Sequence, residues 1–129
     1  AVKADLAAKA LFKLYQQGRD CLTTAQAERS PASLHALRIA IKRIRHAAES
    51  FAPLFPAKSN TRQLEKLARL QSALGRLHDL TEAMPRLSSW AAEDPCLGEA
   101  VAFVAGWQAA TSLKLRHRIL PRCAKLLKQ

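Results

Sequence analysis

Five basic side chains between positions 35 and 46 have types and spacing suited to holding anions. They are His35, Arg38, Lys42, Arg45 and His46. At about 100° of rotation per residue in a helix, the five fall on one arc about 100° wide and roughly 15 Å long. Arginine grips phosphate through two parallel N–H bonds, lysine offers a compact charge, and histidine binds an anion more strongly once protonated. The row is therefore suited to binding several anionic groups in succession.

A helix must position this row, and the sequence predicts one from Pro31 to Phe55. Ser30 supplies an N-cap hydroxyl, Pro31 suits the first helical position, and Pro56 ends the segment. The apolar residues step by three and four: Leu34, Leu37, Ile41, Ile44, Ala48, Phe51 and Phe55. The basic arc lies directly beside this stripe, at the boundary of the predicted core. Only Glu49 is acidic nearby, whereas a merely solvated basic face would be expected to carry i,i+4 ion pairs.

Two further helices precede and follow this one. The first is predicted from about Lys3 to Thr24, and Gly18 in its apolar stripe predicts the close approach of a neighbouring helix. The third is predicted from about Asn60, in a capping box with Gln63, to Pro85, which ends or kinks it.

A fourth helix is predicted from Asp94-Pro95 to about Leu120, with Pro121 as its stop or kink. Gly106 is expected to allow close packing beside a tryptophan. The predicted buried residues of this helix are Val101, Val104, Trp107 and Leu115. The four helices predict an all-α fold, an antiparallel up-down four-helix bundle with long helices, formed by residues 1–129 as a single domain.

The net charge of the chain is +11 and its pI is about 10.3. Such a charge repels itself in a compact state, so it usually serves an anionic partner. The excess lies mainly in residues 31–58 and 112–129, and Lys114 and Arg118 in the second segment join the candidate binding residues. Composition alone leaves nucleic acid, an anionic membrane surface and other polyanions open. No apolar stretch approaches 18 residues, so no membrane-spanning helix and no membrane partner are predicted.

The three cysteines, Cys21, Cys96 and Cys123, are odd in number and include no CxxC spacing. This pattern predicts neither a disulfide framework nor a zinc site, but three buried thiols in a reducing cytosol.

Three segments resemble CHAD domains, the conserved-histidine α-helical domains. The segment from His35 to Phe51 resembles their signature helix, with the pattern H-x-x-R-x-x-x-K-R-x-R before an aromatic-rich end. The segment from Leu70 to Leu80 resembles the family's L-Q-x-x-L-G-x-x-x-D helix, and Phe103–Ala110 resembles its closing helix. Together the segments cover about residues 30–123 and look most like the C-terminal four-helix half of such a domain.

The resemblance implies non-catalytic binding of inorganic polyphosphate by the basic residues of helical bundles. Carried over by position, the implied binding residues are His35, Arg38, Lys42, Arg43 and Arg45, with Arg76 from the second motif. Gln71 and Asp79 match that motif as structural residues that fix neighbouring basic side chains.

The length of the chain matches only one half of such a domain, which has two related bundles facing each other across a basic cleft. The chain is therefore expected to be a fragment, or to form a homodimer that rebuilds a two-bundle cleft. The implied location is the cytoplasm, in association with polyphosphate granules.

Other functions are weighed on the same residues. His46 and Glu49 lie three apart, but no Glu-x-x-His pair faces them, so no metal and no cofactor are predicted. His78 and Asp79 are only sequence neighbours and project in different directions, so no catalytic residue is predicted. The chain is therefore not expected to be an enzyme. A nucleic-acid-binding basic helical protein is the main alternative, because nucleic-acid backbones carry similar charges. Against it, aromatic stacking platforms are scarce, since only Trp90 falls outside core spacing. A module that docks an acidic protein partner is the third hypothesis.

Overall fold

The computed structural model describes residues 2–128, which form four helices joined by short turns. The helices are α1 (Val2–Glu28), α2 (Pro31–Ser50), α3 (Ala57–Glu93) and α4 (Gly98–Leu127), with 3₁₀ turns at Ala52–Leu54 and Pro95–Leu97. Each helix packs against the next, α4 closes the ring on α1, and α2 and α4 lie diagonally across the bundle. The predicted all-α four-helix bundle is confirmed.

The start of α2 is capped as the sequence predicts. Ser30 Oγ accepts a hydrogen bond from the Ser33 amide at 3.1 Å, and Pro31 occupies the first turn. Arg29, just before this cap, has a left-handed φ of 52°, which closes α1 and turns the chain. The predicted end at Phe55 is wrong, because α2 stops at Ser50. Pro53 has no amide hydrogen to continue the helical ladder, and a 3₁₀ turn takes over.

The ends of the two long helices differ from the prediction. α3 begins after Pro56 without a side-chain cap, so the capping box at Asn60 is wrong, and the Gln63 amide instead donates to Tyr15 Oη at 2.6 Å. Pro85 and Pro121 lie inside α3 and α4 rather than at their ends. Both prolines are exposed, so water can hydrogen-bond the carbonyl that each leaves without a backbone partner, and the helix can continue.

The core is built on the predicted stripe of α2. Five of its seven residues are buried, while Phe51 and Phe55 are only half-buried. A Cβ on Gly18 would lie 3.0 Å from Leu127 Cδ2 and 3.2 Å from Ile44 Cδ1, which confirms the close approach predicted there. The remaining buried residues come from all four helices, including Leu22, Ala25, Leu67, Leu70, Leu74, Leu77, Ile119, Cys123 and Leu126.

The cysteines do not share one environment. Cys123 is buried, Cys21 is half-buried and Cys96 is exposed in the turn between α3 and α4. The prediction of three buried thiols is therefore wrong for Cys96. Burial raises the pKa of the Cys123 thiol to about 12.

The C-terminal part of α3 and the N-terminal part of α4 extend beyond this core. No residue from 78 to 118 is buried, because α2 has only 20 residues and covers only part of α3. The predicted burial of Val104 and Trp107 is wrong, since both are exposed, while Val101 and Leu115 are half-buried. A Cβ on Gly106 would meet nothing within 4 Å, so the predicted close packing there is also wrong. None of the described helices is both long and apolar enough to span a membrane.

Candidate functional site

The basic row of α2 faces α3, and two contacts fix this arrangement. Arg45 Nη1 donates to Gln71 Oε1 at 2.9 Å, and the rings of His35 and His78 lie 5.3 Å apart between centroids. Because residue numbers rise along α2 as they fall along α3, the helices run antiparallel. We call the surface between them the α2–α3 groove, and its polar residues are His35, Arg38, Lys42, Arg45, Gln71 and His78.

Arg45 is held in place at one end of the groove. Its Nε donates to Glu49 Oε1 at 2.9 Å, one helical turn away, while Nη1 donates to Gln71. Nη2 makes no hydrogen bond with the described residues, so its N–H groups, on the edge of the guanidinium, are free to bind an anion. Gln71 therefore fixes a neighbouring basic side chain, as the motif implied, whereas Asp79 forms no side-chain hydrogen bond or ion pair within residues 2–128.

Arg38 and Lys42 occupy the middle of the groove without partners. Arg38 is half-buried and Lys42 is exposed, and neither forms an ion pair or side-chain hydrogen bond in the described part of the chain. Across the groove, Gly75 lies on the same side of α3 as Gln71, four residues on, and a Cβ there would enter open space. The middle of the groove thus combines two uncompensated cations with room beside them.

The other end of the groove is a cavity of about 300 Å³ beside the two histidines. Leu74 and Leu77 contribute apolar surface, and Glu82 Oε1 lies 3.8 Å from His78 Nε2. His78 was not among the predicted binding residues. Its spacing of seven from Gln71 places both on one face of α3 beside the apolar stripe, and this signal could have identified it.

Two predicted residues of α2 lie outside the groove floor. His46 is exposed next to Arg45, on the outer side of the row. Arg43 is exposed and lies about 160° around the helix from Arg45, so it points away from α3.

The other predicted residues are on different surfaces. Arg76 is exposed on α3, about 160° around the helix from His78, so the structure does not bring it into the groove. Lys114 and Arg118 are exposed on α4, which lies diagonally across the bundle from α2.

A second cationic pocket, not predicted from the sequence, lies between α3 and α4. It has a volume of about 290 Å³ and an apolar floor that includes Leu70 and Leu126. Its basic residues are Lys66, Arg69, Arg122 and Lys125. The Arg69 guanidinium lies 3.8 Å from Glu65, so part of this charge is compensated. The two helices contribute residues 49 to 60 positions apart, which no local sequence pattern brings together.

The described residues include no group of three or more His, Cys, Asp or Glu side chains that could hold a metal ion. The His46 and Glu49 side chains, which lie three apart, have no third ligand of this kind beside them within residues 2–128. The chemistry that the groove offers is charge and hydrogen-bond donation.

One comparison with known proteins identifies a family for most of the chain. Residues 1–88 match the CHAD domain family, and this span contains the whole α2–α3 groove. The segment Phe103–Ala110 lies outside the matched residues, so its resemblance to the closing helix stays a prediction, as does the assignment to a C-terminal half. No curated protein and no solved structure matches the chain. Because the family match covers more than half of its length, the chain belongs to the CHAD domain family.

Proposed function

We propose that this protein binds inorganic polyphosphate along the α2–α3 groove, as a ligand that it does not convert. CHAD domains as a family bind polyphosphate. The observation that carries the proposal is the pair Arg38 and Lys42, two cations on the side of α2 that faces α3 and without acidic partners among residues 2–128. Arg45 and His35 extend this pair at either end, so that a linear polyanion would meet charges over roughly 15 Å of helix.

The environment of these cations favours phosphate over an isolated carboxylate. A polyphosphate chain presents closely spaced oxygens, each able to accept from the free Nη2 of Arg45, from Arg38 or from Lys42. His35 and His78 can add N–H donors, and their contribution grows as imidazole becomes protonated. The predicted residues His46, Arg43, Arg76, Lys114 and Arg118 are exposed and would act as outer contacts for a longer chain.

Nucleic acid is the second candidate, because its backbone also carries a charge on every unit. The groove favours polyphosphate for a specific reason: the aromatic side chains next to its polar residues are histidines, whereas single-strand binders usually stack bases on larger aromatic rings. Long-chain polyphosphate is therefore expected to displace DNA of equal phosphate content from the protein. Displacement in the opposite direction would favour the nucleic-acid hypothesis.

The location of the site is tested by three double variants with equal loss of charge. Arg38→Gln with Lys42→Gln removes the unpaired groove cations, and Lys66→Gln with Arg122→Gln removes two cations of the α3–α4 pocket. A third variant, Lys9→Gln with Lys13→Gln, removes two exposed cations one turn apart on α1. Polyphosphate affinity is measured for each by titration calorimetry at several salt concentrations.

The groove variant should lose affinity far more than the other two. By analogy with nucleic-acid binding, losing two phosphate contacts reduces the slope of log affinity against log salt by about 1.5. An equal loss in all three variants would mean that net charge alone attracts the ligand. A larger loss in the α3–α4 variant would place the site in that pocket instead. Tight binding of an acidic peptide, with no affinity for polyphosphate, would support a protein-docking module.

The expected homodimer with a rebuilt cleft takes a specific form under this proposal. Two basic grooves facing each other repel, so such a pair needs polyphosphate between them to form. Addition of polyphosphate should then raise the molar mass in light scattering, and the Arg38→Gln, Lys42→Gln variant should abolish the increase. The same affinity predicts that the protein co-localises with polyphosphate granules in the cytoplasm.

A further inference from the structure

α4 carries an exposed apolar face that the bundle does not cover. Phe103, Trp107 and Leu113 are 77%, 59% and 50% exposed. They lie on one side of the helix, with the exposed residues Gly106 and Ala110 between them. A contiguous apolar surface of this kind on a helical bundle indicates an interaction site, whereas apolar side chains scattered singly need no explanation.

The spacing along this face is the same in both directions. The exposed residues along its middle are Glu99, Phe103, Gly106, Ala110, Leu113 and His117, at intervals of four, three, four, three and four, and Trp107 flanks this row. This is the interval pattern of a helix seam that packs against another helix. If two copies of α4 run antiparallel, Phe103 lies opposite Leu113 of the partner subunit, and Gly106 opposite Ala110 of the partner subunit. Large residues then meet large ones, and the small residues at the centre let the backbones approach closely.

The charges at the two ends of this face select the antiparallel arrangement. Residues 87–113 contain three acids and no Lys, Arg or His, and Lys114, Arg116, His117 and Arg118 follow directly. A parallel pair would place acids beside acids and cations beside cations. An antiparallel pair places Glu99 of each copy beside His117 and Lys114 of the partner subunit. Opposite charges across an interface favour its register and disfavour the alternatives.

We infer that α4 is the interface of a homodimer in which two copies pair antiparallel through this face about a twofold axis. A twofold axis makes every contact occur twice, which suits a face that reads alike in both directions. α4 lies diagonally across the bundle from α2, so the pairing leaves the α2–α3 groove of both copies open. The inference does not rest on the proposed function, because it needs no polyphosphate.

The first test measures molar mass over a range of protein concentrations by sedimentation velocity, without polyphosphate. The wild type should form a dimer, and Phe103→Ser with Trp107→Ser should weaken dimerisation by at least about a hundredfold, because each aromatic side chain is buried twice. Phe12→Ser is the matched control, since Phe12 is 59% exposed but lies on α1 and not on the Phe103–Leu113 face of α4. Circular dichroism verifies that each variant keeps its helices.

The second test uses a charge exchange that only the twofold arrangement can satisfy. Glu99→Lys alone and Lys114→Glu alone each create two like-charge contacts in a homodimer, so both variants should dimerise about tenfold more weakly than the wild type. When the two variants are mixed, each of the two contacts pairs a lysine with a glutamate, and a heterodimer should form with near wild-type affinity.

The inference is overturned if the wild type stays monomeric at every concentration, because the exposed face must then serve a different partner. It is also overturned if the Phe103, Trp107 variant dimerises as the wild type does, or if the mixed charge variants associate no better than each alone. A dimer that forms only after polyphosphate is added would contradict pairing through α4 while supporting the proposed function. Loss of polyphosphate binding in a protein that still dimerises would contradict only the proposed function.

Discussion

Replacing Glu49 by glutamine should tighten polyphosphate binding. Glu49 is the single acid along the basic row of α2, and its carboxylate holds the Arg45 Nε at 2.9 Å. Glutamine has almost the same shape and can still accept that hydrogen bond, but it carries no charge. The change therefore removes a repulsion between the protein and the ligand while Gln71 continues to hold Arg45.

The size of the effect follows from the geometry. A phosphate on the free side of Arg45 would lie about 6 Å from the Glu49 carboxylate, where two charges in water interact by about 0.7 kcal/mol before salt screening. The Arg45 and Glu49 side chains are 34% and 47% exposed, so the dielectric is close to that of water. With salt screening and more than one nearby phosphate, the gain should be about 0.5–1 kcal/mol, or about two- to fivefold in affinity. The lost i,i+4 ion pair should cost only about 0.3–0.5 kcal/mol of stability.

The matched control is Glu65→Gln. Glu65 also pairs with an arginine one turn away, with 3.8 Å to Arg69, and its replacement changes the net charge by the same amount. It lies about 120° around α3 from Gln71, away from the groove. Titration calorimetry with polyphosphate of one defined length compares the two variants. A gain of equal size in both would show that net charge governs binding, and a loss of affinity in Glu49→Gln would refute the location of the phosphate beside Arg45.

Three further predictions concern reactivity and stability. A thiol reagent at pH 8 should modify Cys96 within the native protein, whereas Cys123, whose pKa is raised to about 12 by burial, should react only on unfolding. The rates of modification are measured by absorbance with and without denaturant. Fast reaction of Cys123 in the native protein would contradict its burial. Gly18→Val should lower the free energy of unfolding by about 1–3 kcal/mol, because a Cβ alone would already lie 3.0 Å from the Leu127 side chain. Urea unfolding measures this change, and an unchanged urea midpoint would contradict the contact. Arg29→Gly should stabilise the fold by about 0.5–1 kcal/mol in the same assay, because glycine adopts a positive φ freely, and a loss of stability would contradict the turn geometry.

The sequence was sufficient to predict the start of α2 and its row of cations. A hydroxyl cap, a proline in the first turn and a stripe of apolar residues all indicated the same helix, and the row beside that stripe had to lie at the edge of the core. Which neighbour faces the row could not be predicted, because it depends on the register of α3. That register is visible only in the contacts of Arg45 with Gln71 and of His35 with His78.

The prolines show the limit of local rules. Pro85 and Pro121 each cost a helix one hydrogen bond, and the sequence therefore predicted an end or a kink there. In α4, the buried residues Leu120 and Cys123 on either side of Pro121 keep the helix against the core. Packing of this kind outweighs the loss of one bond, since most helical stability in proteins comes from tertiary contacts.

The error in α4 has a different origin, and it led to the interface proposed above. An apolar stripe shows which face of a helix avoids water, but it does not show what covers that face. In α2 the stripe is covered by the other helices of the same chain. In the N-terminal part of α4 the stripe is left exposed, because α2 is too short to extend as far as Phe103 and Trp107. The same periodicity therefore predicts a core in one helix and an intermolecular contact in the other, and only the relative lengths of the packed helices distinguish the two. A pair of copies joined through α4 would restore to this face the burial that its pattern predicts, while each copy keeps its cationic groove open to a polyanion.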